Sequence, residues 1–169
     1  MAISATDIKF YHSGGAGNSD PDASLGGAIS TTEVTDDTLN NLFDDVSGAE
    51  HTAGDTEYRC FYVKNTHGSD SANSAKIWIE TNTPAADDTV EIGLDLAGKN
   101  GTADTVADES TAPDPAVTVS TAANEGASLS LGTLAAGDYY AVWVKRIVSA
   151  GSTAQSSNSF VLKVKADTV

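Results

Sequence analysis

An all-β fold follows from three features of this sequence: an antiparallel β-sandwich, immunoglobulin/fibronectin-like or jelly-roll-like, with one short helix. Apolar and polar residues alternate with period two in several short runs, most cleanly in Thr89–Leu96, where Val90, Ile92, Leu94 and Leu96 oppose Glu91, Gly93 and Asp95. Clusters of Gly, Asp, Asn, Pro and Thr separate those runs and supply turn chemistry. Asp outnumbers Glu by 17 to 7, and Asp favours turns where Glu would favour helices.

Taken in chain order, Asp7–Tyr11 reads as the first strand. His12–Gly27 is turn-rich, with five glycines and too little apolar content for core, and Leu25–Ser30 reads as a short edge strand. Thr35–Val46 is the helical candidate, because Leu39, Leu42, Phe43 and Val46 fall at i, i+3, i+4 and i+7 behind an acidic start. In Glu57–Asn65 both faces carry large residues: Tyr58, Cys60 and Tyr62 on one, Arg59, Phe61 and Val63 on the other. That pattern predicts a strand covered on both sides. Ala75–Thr81 places Ile77 and Ile79 opposite Trp78, and Thr89–Leu96 follows as a further strand. The pattern then collapses from Ala97 to Pro115. A structureless stretch longer than about 12–15 residues inside a domain is usually functional or disordered, and this one reads as a loop used for contacts. Ala116–Ser120, Ser128–Leu131, Asp138–Val148 and Ser159–Lys165 complete the strands. The run from Leu131 through Gly137 into Tyr139 and Tyr140 resembles a tyrosine corner, in which one of the two hydroxyls would tie back to the backbone. The whole chain, 1–169, is expected to form one sandwich domain with long loops at 12–27 and 97–115.

A chain of 169 residues can bury about 70% of its unfolded surface, so it needs no metal or disulfide staple. Cys60 is the single cysteine and sits in an apolar strand, where a buried inert thiol is expected. With 24 acidic against 9 basic residues the formal net charge is −15. Such a surface repels phosphate backbones and anionic lipid, which argues against nucleic-acid and membrane partners. No run approaches the ~18 apolar residues of a membrane span. The opening Met-Ala-Ile-Ser-Ala-Thr-Asp lacks the basic and apolar regions of a secretory signal, so the expected place of synthesis is the cytosol.

Catalytic and metal motifs are not evident. His12, His51 and His67 lie among turn residues without the i, i+4 spacing of a helical metal site. Gly14–Gly17 is glycine-rich but lacks the Lys-Ser/Thr partner of a phosphate loop. Asn18, Asp20 and Asp22, with Asp87-Asp88 as a second candidate, offer oxygens suited to Ca²⁺, and ordinary Asx turns account for the same residues. Trp78 and Trp143, with Tyr11, Tyr62 and Tyr140, could form a sugar-stacking platform, but mid-strand tryptophans normally fill the space between sheets. No catalytic, cofactor-binding or metal residues are assigned, and the chain is expected not to be an enzyme and to need no cofactor.

Residues Leu42-Phe-Asp-Asp-Val-Ser-Gly-Ala-Glu50 and Ala53-Gly-Asp-Thr-Glu-Tyr-Arg-Cys-Phe-Tyr-Val-Lys-Asn-Thr-His67 resemble a family of small virion structural proteins of tailed bacteriophages. The likeness continues in Lys76-Ile-Trp-Ile-Glu-Thr-Asn-Thr83, Glu91-Ile-Gly-Leu-Asp95 and Ala141-Val-Trp-Val-Lys-Arg146. It implies a capsid decoration or cement protein on the outside of a phage head, made in the host cytoplasm and stabilising the shell. The implied partner is the phage major capsid protein, with a homotrimer compatible with a quasi-threefold position. A tail or baseplate component and a carbohydrate- or host-surface-binding sandwich module are the alternatives. The weakly patterned stretches Met1–Ser13 and Ala97–Pro115 are the expected shell contacts.

Overall fold

The computed structural model describes residues 2–151 and 158–167. Among them the strands are β1 (Ile8–His12), β2 (Gly26–Gly27), β3 (Asp55–Asn65), β4 (Ala72–Thr81), β5 (Asp88–Leu94), β6 (Ala103–Thr105), β7 (Leu129–Leu134), β8 (Tyr139–Val148) and β9 (Val161–Asp167). One sheet has the order β1-β3-β8-β5, a second β7-β4-β9, and β2 pairs with β6 in a small third sheet. Every pairing is antiparallel. Leaving β6 aside, each strand after β3 lies in the opposite main sheet from the one before it. That alternation is jelly-roll-like; in the immunoglobulin arrangement several consecutive strands pair within one sheet.

Alternation in β3 and β8 builds two cores from one sheet. Phe61 and Val63 of β3, Val142 and Val144 of β8, and Val90 and Ile92 of β5 face Ile77 and Ile79 of β4, with Leu131 and Leu134 of β7. The other face carries Cys60, Tyr62, Ala141 and Trp143, which would be exposed in a plain two-layer sandwich. Here Leu25, Ile29, Ala103, Val106 and Val117 cover them. The two stretches expected as open loops thus meet over this sheet. Gly26 pairs with Thr105 and Gly27 with Ala103. The Tyr62 hydroxyl donates to the Gly27 carbonyl at 2.5 Å and accepts from the Ala103 amide at 2.9 Å. Few apolar residues suffice for this cover because Leu25, Ile29, Val106 and Val117 all point the same way.

Several local expectations are corrected. Residues 35–46 are not helical; the one α-helix among the described residues, α1, is Gly48–Ala53. Asp37 and Asn40 adopt positive φ angles of 51° and 55°, which a right-handed helix excludes. Side chains compete with helical hydrogen bonds as well: Asp36 Oδ1 accepts from the Asp37 amide, and Asn41 Nδ2 donates to the Thr35 carbonyl. Of the four periodic residues Leu42 and Phe43 are buried, whereas Leu39 is 72% exposed. The helix starts later because Ser47 and Glu50 form a reciprocal capping box. Leu96, expected to point inward, lies beyond β5 and is 62% exposed. Ala116–Ser120 contributes only an isolated bridge from Ser120 to Ile92. The hydroxyl that ties back to backbone is that of Tyr62; among the described residues neither Tyr139 nor Tyr140 makes such a bond. Within the stretch Met1–Ser13, Met1 lies outside the described residues, Ile3 packs on the main core, and residues 8–12 form the first strand, as expected to within one residue.

Gly26 has a φ of +91°, and a Cβ there would overlap the Asp104 carbonyl oxygen. Gly26→Ala is therefore expected to lower the unfolding free energy by about 2–4 kcal/mol in urea titrations monitored by tryptophan fluorescence.

Candidate functional site

The densest polar arrangement is buried, at the end of the large sheet where β3 begins and β8 ends. Glu57 and Arg59 lie on the same face of β3, and Glu57 is directly opposite Arg146 of β8. All three are buried: Glu57 is 2% exposed, Arg59 0% and Arg146 8%. Buried charges persist only when paired and hydrogen-bonded. Arg146 Nε donates to Glu57 Oε2 in a short contact, and its Nη1 donates to the Asp44 carbonyl at 2.8 Å. Arg59 Nη2 donates to Glu109 Oε2, also in a short contact, and lies 3.5 Å from Asp22 Oδ1 and 3.8 Å from Asp44 Oδ1. Phe43 packs beneath both guanidiniums, its ring centroid 5.6 Å from Arg59 Cζ and 4.7 Å from Arg146 Cζ. Three chain segments distant in sequence therefore converge on two strand arginines.

Asp44, Glu57 and Glu109 each bring a carboxylate oxygen within 4.8 Å of the others, close enough to hold a cation by distance alone. The two guanidiniums already occupy that role: four carboxylates surround two fixed positive charges. Burial, with the surplus negative charge adding to it, has a titration consequence. Burial raises the pKa of Glu57 against the opposing effect of Arg146. Burial, then Glu109 and Asp22, raises that of Asp44.

The calcium candidates are engaged otherwise. Asn18 Oδ1 accepts from the Asp20 amide at 2.9 Å, and Asp20 Oδ1 from the Asp22 amide at 3.1 Å, as Asx turns do. Asp22 turns toward Arg59. Asp88 Oδ2 accepts from Asn158 Nδ2 at 2.5 Å, and burial raises its pKa. The histidines are far apart in role: His12 Nδ1 lies 3.0 Å from Ser24 Oγ, His51 is in α1, and His67 Nδ1 accepts from the Ser69 and Asp70 amides. Gly14 and Gly15 take positive φ in a turn that donates the Gly15 amide to the Ala28 carbonyl. Burial pushes the Cys60 thiol well above its usual range, which leaves it protonated and unreactive.

Both tryptophans are buried, Trp78 at 3% and Trp143 at 0% exposure, so neither offers a face for sugar stacking. Trp143 Nε1 donates to Asp95 Oδ2 at 2.8 Å, and Trp78 Nε1 to Glu80 Oε2 at 2.6 Å. Concavities open on the surface among the described residues, including one of 310 Å³ around Asp95, Leu96 and Asp104 and one of 160 Å³ around His12, Glu33 and Leu39.

Charge is partitioned along the chain. Eight of the nine basic residues (Lys9, Arg59, Lys64, Lys76, Lys145, Arg146, Lys163 and Lys165) lie on strands, and the ninth is Lys99. The connection 13–54 holds eight acidic residues and no Lys or Arg. Asp22 and Asp44 from it, and Glu109 from the later connection, turn inward to Arg59. The outer lysines of β4 and β9 are matched separately: Lys165 and Lys76 hold the Glu125 carboxyl down at about 2. The arginine cluster had one sequence signal, an acid and a base two residues apart on one face of a strand rich in large apolar residues; the segments that reach it had none.

Comparison with protein-family models, with curated proteins and with solved structures yields no match to this chain.

Arg59→Met leaves Asp22, Asp44 and Glu109 facing one another without their shared cation. It is expected to cost about 3 kcal/mol of stability and to expose residues 31–47 and 100–115 to limited proteolysis, read by mass spectrometry of the fragments. The pH profile carries a sign that tests the cluster. Raised carboxyl values for Glu57 and Asp44 contribute stability that is present below their unfolded values and lost as pH rises through the folded ones. Glu125, held down at about 2, contributes in the opposite sense and is lost as pH falls toward that value. The wild-type melting temperature should therefore rise from neutral to mildly acidic pH and fall in stronger acid, and Glu57→Gln should reduce the mildly acidic gain.

Proposed function

We propose that this chain is a non-enzymatic structural protein of a tailed-phage particle, a decoration or cement protein bound to the outside of the capsid. The observation that carries the proposal is the way its polar groups are used. The buried charged cluster and the Tyr62 hydroxyl tie connecting segments onto a sheet that is already packed on its other face. The product is a sheet covered on both faces, with outward loops that bear carboxylates such as Asp20, Asp36, Asp37, Asp45, Asp108 and Asp114. None of these forms an ion pair among the described residues. A protein of this build suits passive attachment. It adds binding free energy to an assembled shell and none to its dissociated parts, and so shifts the balance toward assembly. The partner in this proposal is the major capsid protein, the place of synthesis the host cytoplasm, and the oligomer at a quasi-threefold position a trimer. The resemblance of residues 42–67, 76–83, 91–95 and 141–146 to phage structural proteins is the second support.

The test is immunogold electron microscopy of particles from the source culture with antibody against the purified chain. Even labelling of heads is the expected result. Labelling confined to tails would assign the protein to the tail or baseplate, and unlabelled particles would overturn the virion assignment.

A further inference from the structure

Four charged residues are buried in this structure: Glu57, Arg59, Asp95 and Arg146. Three of them meet opposite charges in the cluster described above. Asp95 does not. It is 4% exposed, and among the described residues it forms no ion pair. Its oxygens accept only from neutral N–H groups: Ala97 at 2.8 Å on Oδ1, and Trp143 Nε1 at 2.8 Å and Asp104 at 3.3 Å on Oδ2. Those dipoles hold the carboxylate in place and leave its negative charge unbalanced. A buried charge without a countercharge is the exception in folded proteins.

The position of that charge gives it a use. Asp95 lines the 310 Å³ concavity together with Leu96, Ala97, Thr102, Asp104 and Pro115. Of these, Leu96 is 62% exposed. One Asp104 oxygen accepts from the Asp114 amide at 2.9 Å, and its carboxylate has no cation partner among the described residues. From Asn100 to Ser120 the chain contains no Lys or Arg. The concavity therefore joins an apolar wall to two carboxylates. That combination matches a side chain with an aliphatic stem and a cationic head. A hydrated metal ion has no use for the apolar wall, and Ca²⁺ needs six to eight oxygen ligands. Both carboxylates here already accept backbone N–H bonds.

We infer that this concavity receives a lysine or arginine side chain presented by a partner protein. The stem lies against Leu96, Ala97 and Pro115, and the head sits between Asp104 and Asp95. The cavity's preference for a cationic side chain stands on its own geometry. Naming the capsid protein as the donor rests on the proposal above.

The test is an amide NMR titration of the full chain at constant ionic strength with N-acetyl-arginine methylamide and N-acetyl-lysine methylamide. N-acetyl-glutamate methylamide and CaCl₂ serve as comparisons. Saturable shifts at Leu96, Ala97, Thr102 and Asp104 are expected with a cationic probe and not with the acidic one. Asp104→Asn should weaken the apparent Kd about threefold to fivefold. Leu96→Ser, at an exposed position, should weaken it with an unchanged melting temperature. Absence of localised saturable shifts, an equal response to the acidic probe, or a response to Ca²⁺ alone would overturn the inference. Such a failure leaves the shell assignment to the immunogold result. Unlabelled particles with a positive titration would retain the cationic site and remove the capsid protein as its donor.

Discussion

Arg59 is the constraint on which most of this structure depends. A guanidinium placed on the inward face of a central strand cannot be left unpaired, and β3 itself supplies only Glu57 nearby, which is taken by Arg146. The countercharges have to come from elsewhere, and they come from the segments containing Asp22, Asp44 and Glu109. Each arrives with neighbouring backbone: the Cys60 amide donates to the Ser24 carbonyl and the Tyr58 amide to the Glu109 carbonyl. The start of β3, which extends past β1, is completed by these segments in place of a further strand. Phe43 enters with Asp44 and closes the end of the sandwich beneath both arginines.

The same logic organises the opposite face of the sheet. Cys60, Tyr62 and Trp143 are too apolar to remain wet, so the strand pattern demands a third layer. The connections supply it with few apolar residues, because the Tyr62 hydroxyl, donating to Gly27 and accepting from Ala103, and the Asp95 carboxylate, accepting from the Asp104 amide, fix their paths. Asp95 serves twice, holding the Trp143 indole on one side and facing the surface concavity on the other. Placing nearly all cations on strands and most of the carboxylates on connections gives the molecule an interior cluster in which two arginines hold four carboxylates, and an outward surface dominated by negative charge. Such a surface repels phosphate backbones and other polyanions.

The strands could be read because their side chains sit on a surface with period two, and that period depends only on local backbone geometry. β3, β5 and β8 were legible for this reason, as was the covering of β3 on both faces. The stretch 35–46 misled for a related reason. Its apolar spacing fits a helix, but Asp36 and Asn41 bond to nearby backbone, and the burial of Leu42 and Phe43 near the arginines fixes its course. Nothing local to Asp22, Asp44 or Glu109 distinguishes them from the other carboxylates of acidic turns. Their selection is a matter of distance from Arg59 in three dimensions. Asp95 was equally hidden, since an Asp after a strand reads as a turn residue until Trp143 is seen to bond to it.

Alternation and composition by themselves determined that this chain is an all-β sandwich with a buried inert thiol, core tryptophans and a strongly acidic surface. These properties follow from each residue's own hydrophobicity, charge and neighbours along the strand. The tertiary structure alone decided that successive strands alternate between sheets, that the long connections form a third layer, and which few of the 24 acidic residues turn inward. Each of those outcomes depends on pairing partners tens of residues apart, and a countercharge is recognisable only once the fold has brought it to the charge that requires it.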